Sequence, residues 1–385
     1  MRIGIVGGQL QGLEAVYLAR QAGLEVELID KDPLAPAKSM VDEFHHLDLL
    51  NGEDAAGTLL RRFDLILPAT ENYQTLTWLQ ETARQCHIPL ALDLSAYAIS
   101  SSKILSNQTF ERAGIPLPEP WPECGFPVVV KPSNLSGSSG VMKINTHAQL
   151  REALANLHGE SVIQEYLDGP SYSLEVLAHK GRCVCFQITQ LEFDAGYDCK
   201  RVLAGPKIGN DVAEAFYDIG ERIASALHLS GIMDIEVIHT CDGLKVLEID
   251  ARLPSQTPSV IYHSSGVNMI KLLAEYWVEG KLPAYRRLTD ERRAVIYEHL
   301  SFKNNVLETG GEHILKGAQG LQLYQDIFSA NVLLSNFERS PGDWVATLII
   351  ESETEAQAWK SRNRVVKEIQ EEFKCQAFFA PGPTS

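Results

Sequence analysis

Two short runs of alternating acidic and apolar residues constrain this chain more than any other feature. They are Met233-Asp234-Ile235-Glu236-Val237-Ile238 and Leu247-Glu248-Ile249-Asp250, with Cys241-Asp242-Gly243 between them. Strict alternation marks a strand with one buried face. A three-residue loop whose last residue is glycine, free to take the left-handed conformation, joins two such strands into a hairpin. That loop sets Glu236 opposite Glu248 and Asp234 opposite Asp250. All four carboxylates then share one face, and Ile235, Val237, Leu247 and Ile249 bury on the other. Like charges directly opposite each other destabilise a sheet. A hard divalent cation with oxygen ligands offsets that repulsion, and magnesium also carries phosphates. Arg252, two residues further along the same face, adds a fixed positive charge for an anion. The alternative is a solvated acidic edge; the apolar opposite face and Arg252 argue against it.

A lysine and a loop add to this picture. Lys131 ends the apolar strand Val128-Val129-Val130 and is followed by Ser133-Asn134-Leu135-Ser136-Gly137-Ser138-Ser139-Gly140. Backbone N–H groups of so flexible a loop can wrap phosphate oxygens. It lacks the Gly-Lys-Ser/Thr ending of a Walker loop. Alone it reads equally well as a flexible turn; with Lys131 and the carboxylate hairpin it reads as a phosphate site.

The remainder supplies a frame. Residues 1 to about 95 alternate strand and helix (Arg2–Val6, Leu13–Ala22, Glu25–Ile29, Leu65–Leu67, Leu90–Leu92), which predicts a parallel, doubly wound sheet. A helix over about Ser101–Ala113 ends at Gly114, and Thr146 with Gln149 forms a capping box. Further strands are expected at Ser161–Glu165, Tyr172–Leu177 and Cys183–Thr189, and a long helix at Asp211–Leu227. From about Tyr285 the pattern changes again, with strands at Ala294–Tyr297 and Val345–Ile350, a charged helix over about Glu355–Phe373 and a Pro/Gly tail. At 385 residues the chain has room for two or three domains. A net charge of -16 argues against nucleic acid or an anionic membrane as the main partner. No apolar run approaches the roughly 20 residues of a membrane span. The MRIGIVGG start lacks the basic region of a signal peptide. Seven scattered cysteines without Cys-x-x-Cys pairs point to a reduced, cytoplasmic protein.

At the amino terminus Gly7, Gly8 and Gly12 lie between the first strand and first helix, but Gln9 stands where a dinucleotide fingerprint wants glycine. The turn reads either as an anion site for a substrate carboxylate or as a tight turn without a ligand. Glu71, just beyond the strand Leu65–Leu67, is placed either to grip a substrate ammonium or to favour a helix N-terminus.

In this order Lys103, Ala113-Gly114-Ile115-Pro116, Val130-Lys131-Pro132, the Ser/Gly loop, Gln164-Glu165-Tyr166-Leu167-Asp168-Gly169 and Leu247-Glu248-Ile249-Asp250-Ala251-Arg252 resemble the ATP-grasp superfamily. Four stretches resemble more closely its ligases of pyrrolysine biosynthesis, which couple 3-methyl-D-ornithine to the ε-amine of L-lysine. They are Val6–Gly12, Gly231–Asp234, Glu248–Pro258 and Tyr297–Leu300. Most ATP-grasp enzymes have Asn at the position of Asp250, and a carboxylate there still serves magnesium. The resemblance implies an α/β ATP-grasp architecture: a Rossmann-like domain over 1–95, a two-lobed α+β ATP-grasp domain over 96–285 with a lid at about 121–168, and a C-terminal α+β domain over 286–385. It implies ATP and Mg2+ as cofactors, with Glu236, Glu248 and Asp250 on the metal. Lys103, Lys131, Ser138, Ser139, Gln164, Glu165, Tyr166, Leu167, Lys200 and Arg201 would contact ATP. Arg252 and Lys131 would act in catalysis. Leu10, Gln11, Glu71, Asn72, Glu175, Asp234, Arg252, Ser255 and Thr257 would surround small amino-acid substrates, in a monomer or homodimer. The chemistry implied is an acyl phosphate and then an amide, with release of ADP.

Overall fold

Four parallel strands open the chain, side by side in the order Glu43–His46, Glu25–Asp30, Arg2–Val6, Leu65–Pro68. Arg2–Val6 and Leu65–Pro68 are apolar because both of their faces are buried, whereas Glu43–His46 is a polar edge strand. The helix Leu10–Gln21 packs against Ile3, Ile5 and Leu28 and is covered in turn by Met269–Glu279, so Gln11 to Ala19 are all buried. Tyr73–Cys86 covers the opposite face through Leu76, Leu79 and Ala83. The computed structural model describes residues 1–157, 159–205, 208–287, 293–338 and 342–380, leaving aside the side chains of 53 and 54. The expected Pro/Gly tail, at 381–385, lies outside the described residues.

A separate short helix, Leu94–Ser100, precedes Lys103–Arg112, which is the helix expected over Ser101–Ala113. Asp93 caps the first, and the Ser102 hydroxyl accepts from the Leu105 amide to cap the second. Lys103 is thereby fixed at the first position of a helix. Met142–Ile144, Val128–Pro132 and Ser161–Glu165 form a small antiparallel sheet. Its helix His147–Asn156 starts at Thr146, whose hydroxyl accepts from the Gln149 amide.

The large sheet runs Gly243–Asp250, Gly231–Thr240, Ser171–His179, Arg182–Phe193, Cys199–Ala204, Ala294–Lys303, Trp344–Ser352, Val332–Ser335, Gln322–Gln325. The division expected near residue 286 falls inside it, because Arg201 to Ala204 pair with Val295 to Glu298. The buried Glu298 secures this junction. It accepts from Arg201, from the Arg362 guanidinium at 2.6 Å twice, and from the Thr309 hydroxyl at 3.1 Å. Burial opposes its ionisation, but the two arginines hold it below the ordinary carboxylate range.

The hairpin departs from expectation in its turn. Asp234 does face Asp250, and Glu236 does face Glu248. Thr240, however, pairs with Gly243, so only Cys241 and Asp242 form the loop, and a bulge at Leu247 absorbs the one-residue difference. Val246 therefore buries at 1% exposure in place of Leu247, which turns to the cavity side.

Candidate active site

Between the small sheet and the hairpin lies a cavity of about 180 Å³. Lys103, Lys131, Glu236, Glu248 and Leu247 form its base, and Ser138, Ser139 and Gln164 to Leu167 its walls. The expected ATP contacts Lys103, Lys131, Ser138, Ser139, Gln164, Glu165, Tyr166 and Leu167 thus meet in one place. Lys103 Nζ lies 3.3 Å from a Glu248 carboxylate oxygen and donates to the Leu135 carbonyl at 2.7 Å. Burial lowers the Lys131 pKa against the pull of Glu248. Burial and Glu248 together push Glu236 up to about 8. Burial would raise Glu248 too, but Lys103 and Lys131 hold it below its ordinary value.

Lys200 and Arg201 do not line this cavity. Arg201 is committed to Glu192 and Glu298. Their shared strand belongs to the middle of the large sheet, and the sequence did not show that its second cation would be taken by the next strand.

The loop Ser133–Gly140 is tied at both flanks. The Ser133 carbonyl accepts from the Lys103 amide at 3.0 Å, and the Ser138 hydroxyl donates to the Tyr197 carbonyl at 2.5 Å. Gly137 has φ +57, and a Cβ there would sit 2.6 Å from the His313 ring. The Ser136 hydroxyl donates to Glu71, which also accepts from Arg252.

Arg252 is shared between Glu71 and Asp250, with 2.6 Å to Asp250. Burial lifts Asp250 to about 7 although Arg252 opposes it. This geometry splits the three expected metal ligands: Glu236 and Glu248 face the nucleotide cavity, while Asp250 leans to Arg252. Magnesium characteristically takes one or two carboxylates and completes its shell with phosphate and water. The Glu236–Glu248 pair fits that requirement.

A second cavity opens where the first helix, the segment 255–259 and the C-terminal strands converge. Leu10, Glu14, Ser255, Gln256, Tyr297, His299 and Glu312 line it. Ser255, Gln256 and Thr257 make a tight three-residue turn: Gln256 has φ 66 and ψ -60, and the Thr257 amide donates to the Ser255 carbonyl at 2.7 Å. That is the strained form of the γ-turn, retained where surrounding structure over-determines it. The Ser255 hydroxyl and Gln256 amide both donate to one Glu312 oxygen, at 2.8 and 2.9 Å. Glu14 accepts from the Ser259 amide at 2.6 Å, and burial raises it to about 7. Glu175 is fully buried opposite Asp234, and burial raises both, Glu175 to about 7. The buried oxygens Asp234 Oδ1, Asp250 Oδ1 and Gln256 Oε1 have no hydrogen-bond partner, the condition of groups that await a ligand.

Two expected substrate residues, and the glycine turn, have other duties. Gln11 donates to the Leu253 carbonyl at 2.6 Å, and Asn72 caps its helix by accepting from the Thr75 amide. The Gly8 amide donates to Asp30 at 2.6 Å, so the glycine turn has no free amide there for a substrate carboxylate. Conversely, Glu14 and Glu312 escaped the sequence reading. Glu14 left a trace, a single acid within the apolar Leu13–Ala19 helix face; Glu312 left none.

The ATP-grasp domain family model matches residues 100–256. Over 314 residues the chain is 37% identical to the 3-methyl-D-ornithine–L-lysine ligase of Methanosarcina barkeri, covering 81% of this chain and 83% of that one. It is 33% identical to the Methanosarcina mazei ligase of the same name, over 97% of each. Among solved structures, it is similar to an N5-carboxyaminoimidazole ribonucleotide synthetase with ADP (TM-score 0.71, 16% identity, 96% of this chain and 97% of that one). It is also similar to an L-amino acid ligase from Bacillus licheniformis (TM-score 0.66, 18% identity, 95% and 97%). At those identities the structures speak for the fold alone.

Proposed function

Because this chain belongs to the ATP-grasp family, as an ATP- and magnesium-dependent ligase that forms a carbon–nitrogen bond, we propose that it joins the carboxylate of 3-methyl-D-ornithine to the ε-amine of L-lysine. One observation supports this most: the Glu236–Glu248 pair shares its cavity with Lys103 and Lys131, and the buried acids Glu14 and Glu312 line a separate pocket.

Lys103, Lys131 and the Ser133–Gly140 loop would hold the triphosphate, and Gln164 to Leu167 the adenine edge. Glu236 and Glu248 would hold magnesium, with Asp250 adjoining; the ion supplies charge neutralisation on the phosphoryl oxygens. The ornithine carboxylate attacks the γ-phosphorus, giving an acyl phosphate and ADP. Arg252 orients the carboxylate and its phosphoryl group. Glu71, Asp234 and Glu312 take substrate ammonium groups, and Leu10, Ser255 and Thr257 shape the site around them. The lysine amine, with a pKa near 10.4 in water, must lose a proton before it attacks the acyl carbon and expels phosphate. A nearby carboxylate or the departing phosphate oxygen takes that proton. The loop over the cavity keeps water from the acyl phosphate.

No helix among the described residues is long and apolar enough to cross a membrane. Seven unpaired cysteines favour a reducing cytoplasm as the place of action. Incubation with ATP, Mg2+, D-ornithine and L-lysine, followed by mass spectrometry, tests the reading. The dipeptide with stoichiometric ADP is expected; ADP formation driven only by other amino acids would replace these substrates.

A further inference from the structure

A surface cleft of about 620 Å³ shares no lining residue with either cavity above. Cys183, Glu221, His228 and Arg286 line it. Cys183 and Cys185 lie two apart on the strand Arg182–Phe193, so both side chains leave the same face. The helix Asn210–Ala226 packs on that face through Phe216, Ile219 and Ile223 and presents Glu221 to the sulfurs. The two Sγ atoms and a Glu221 carboxylate oxygen all lie within 4.8 Å of one another. Cys185 is fully buried and Cys183 half-buried.

We propose that Cys183, Cys185 and Glu221 form a binding site for a soft divalent cation of the zinc class, separate from the magnesium site of the ligase reaction. Tetrahedral bonds of about 2.3 Å to two thiolates place their sulfurs about 3.8 Å apart, which the cluster accommodates. A disulfide is the poorer use of the same pair. Two strand residues at this spacing have Cα atoms about 6.4–6.8 Å apart, the outer limit for that bond. The surrounding charge suits a metal thiolate. Two thiolates and one carboxylate on a dication leave one negative charge, and two arginines stand beside it. Arg286 pairs with Glu221, and Arg287 lies 3.5 Å from it. The backbone fixes these arginines, because the Cys185 amide donates to the Arg286 carbonyl at 2.9 Å. Nearby guanidinium groups also favour the thiolate form. Three protein ligands leave a fourth position for solvent from the cleft, which His228 also lines. Binding releases the two thiol protons to solvent, and nothing is oxidised or reduced.

The test is titration of the reduced, metal-free full-length protein with Cd2+. One equivalent should bind with thiolate-to-metal charge-transfer absorption in the ultraviolet and release of two protons per ion. Cys183→Ser, at the half-buried position where folding is least at risk, should lose the band and proton release. The Cys183→Ser/Cys185→Ser double variant should do the same, and Glu221→Gln should keep the band with weaker binding. Ligase turnover in Cys183→Ser should match wild type. No band in the wild type, or an unchanged band in the double variant, overturns the assignment. Facile Cys183–Cys185 disulfide formation without metal binding would also overturn it, in favour of a redox pair.

Discussion

The two cavities treat charge in opposite ways. In the first cavity the hairpin glutamates have cations at hand: Lys103 meets Glu248 at 3.3 Å, and Lys131 stands beside both. In the second cavity Glu14 and Glu312 are satisfied by hydroxyls, amides and backbone N–H groups, and among the described residues no lysine or arginine pairs with either. The difference identifies what each must receive. The first is ready for an anion accompanied by a metal ion. The second lacks positive charge, and a ligand bearing ammonium groups provides it. A single enzyme that phosphorylates a carboxylate and then admits an amine needs both kinds of site.

The strongest break of this comparison is Glu248→Gln. We expect ligation to be abolished, because magnesium loses a ligand and the triphosphate is left under-neutralised. Metal-free stability should fall slightly, because Lys103 and Lys131 lose the carboxylate they face, while Glu236, raised to about 8, is largely protonated and repels it little. Steady-state assays and thermal melts in chelator check both halves; near-wild-type turnover at limiting magnesium would remove Glu248 from the metal site.

Glu312→Gln sharpens the comparison from the other side. Losing a charge-assisted bond worth about 1.5–3 kcal/mol should raise KM for an amino-acid substrate about 10–100-fold. KM for ATP should hold. A parallel rise in both would mean the cavities are not separable.

A smaller effect concerns pH. Burial raises Glu236 to about 8 and Asp250 to about 7. Without metal the folded protein then binds these protons more tightly than the unfolded chain does. Stability should therefore fall as pH rises from the ordinary glutamate pKa of about 4.3 through 8. Magnesium competes with the same protons, so its affinity should rise across pH 6–8. Melting curves in chelator and in MgATP should diverge with rising pH; parallel curves would refute the link.

The smallest expected effect is in the loop Ser133–Gly140. It is already held by Ser136–Glu71, Ser138–Tyr197 and Gly137 against His313. Hydrogen exchange should nonetheless slow further with ATP, since glycine and serine leave it costly to order. Equal protection with and without nucleotide would count against a lid.

How far the sequence reached depended on whether a feature is local. The hairpin's facing carboxylates were legible because alternation puts them on one face, and their register held because the Leu247 bulge restores the residue that the shorter turn removes. The bulge itself was not legible, because Val246 and Leu247 are both apolar and either could bury. The helix starts at Lys103 and Thr146 were legible or nearly so through their caps. Arg201 was misplaced because its buried partner, Glu298, lies 97 positions away along the chain. The second cavity was partly invisible for the same reason: Glu14, Gln256 and Glu312 come from three distant segments, and only Leu10 and Ser255 were found among its lining.

The central claim is that the carboxylate substrate passes through an acyl phosphate at the hairpin. Oxygen-18 in that carboxylate tests it most directly. With ATP, Mg2+ and lysine, the account predicts ADP as the nucleotide product and one labelled oxygen in the inorganic phosphate released with each amide. Unlabelled phosphate, or label carried into AMP with pyrophosphate released, would contradict it.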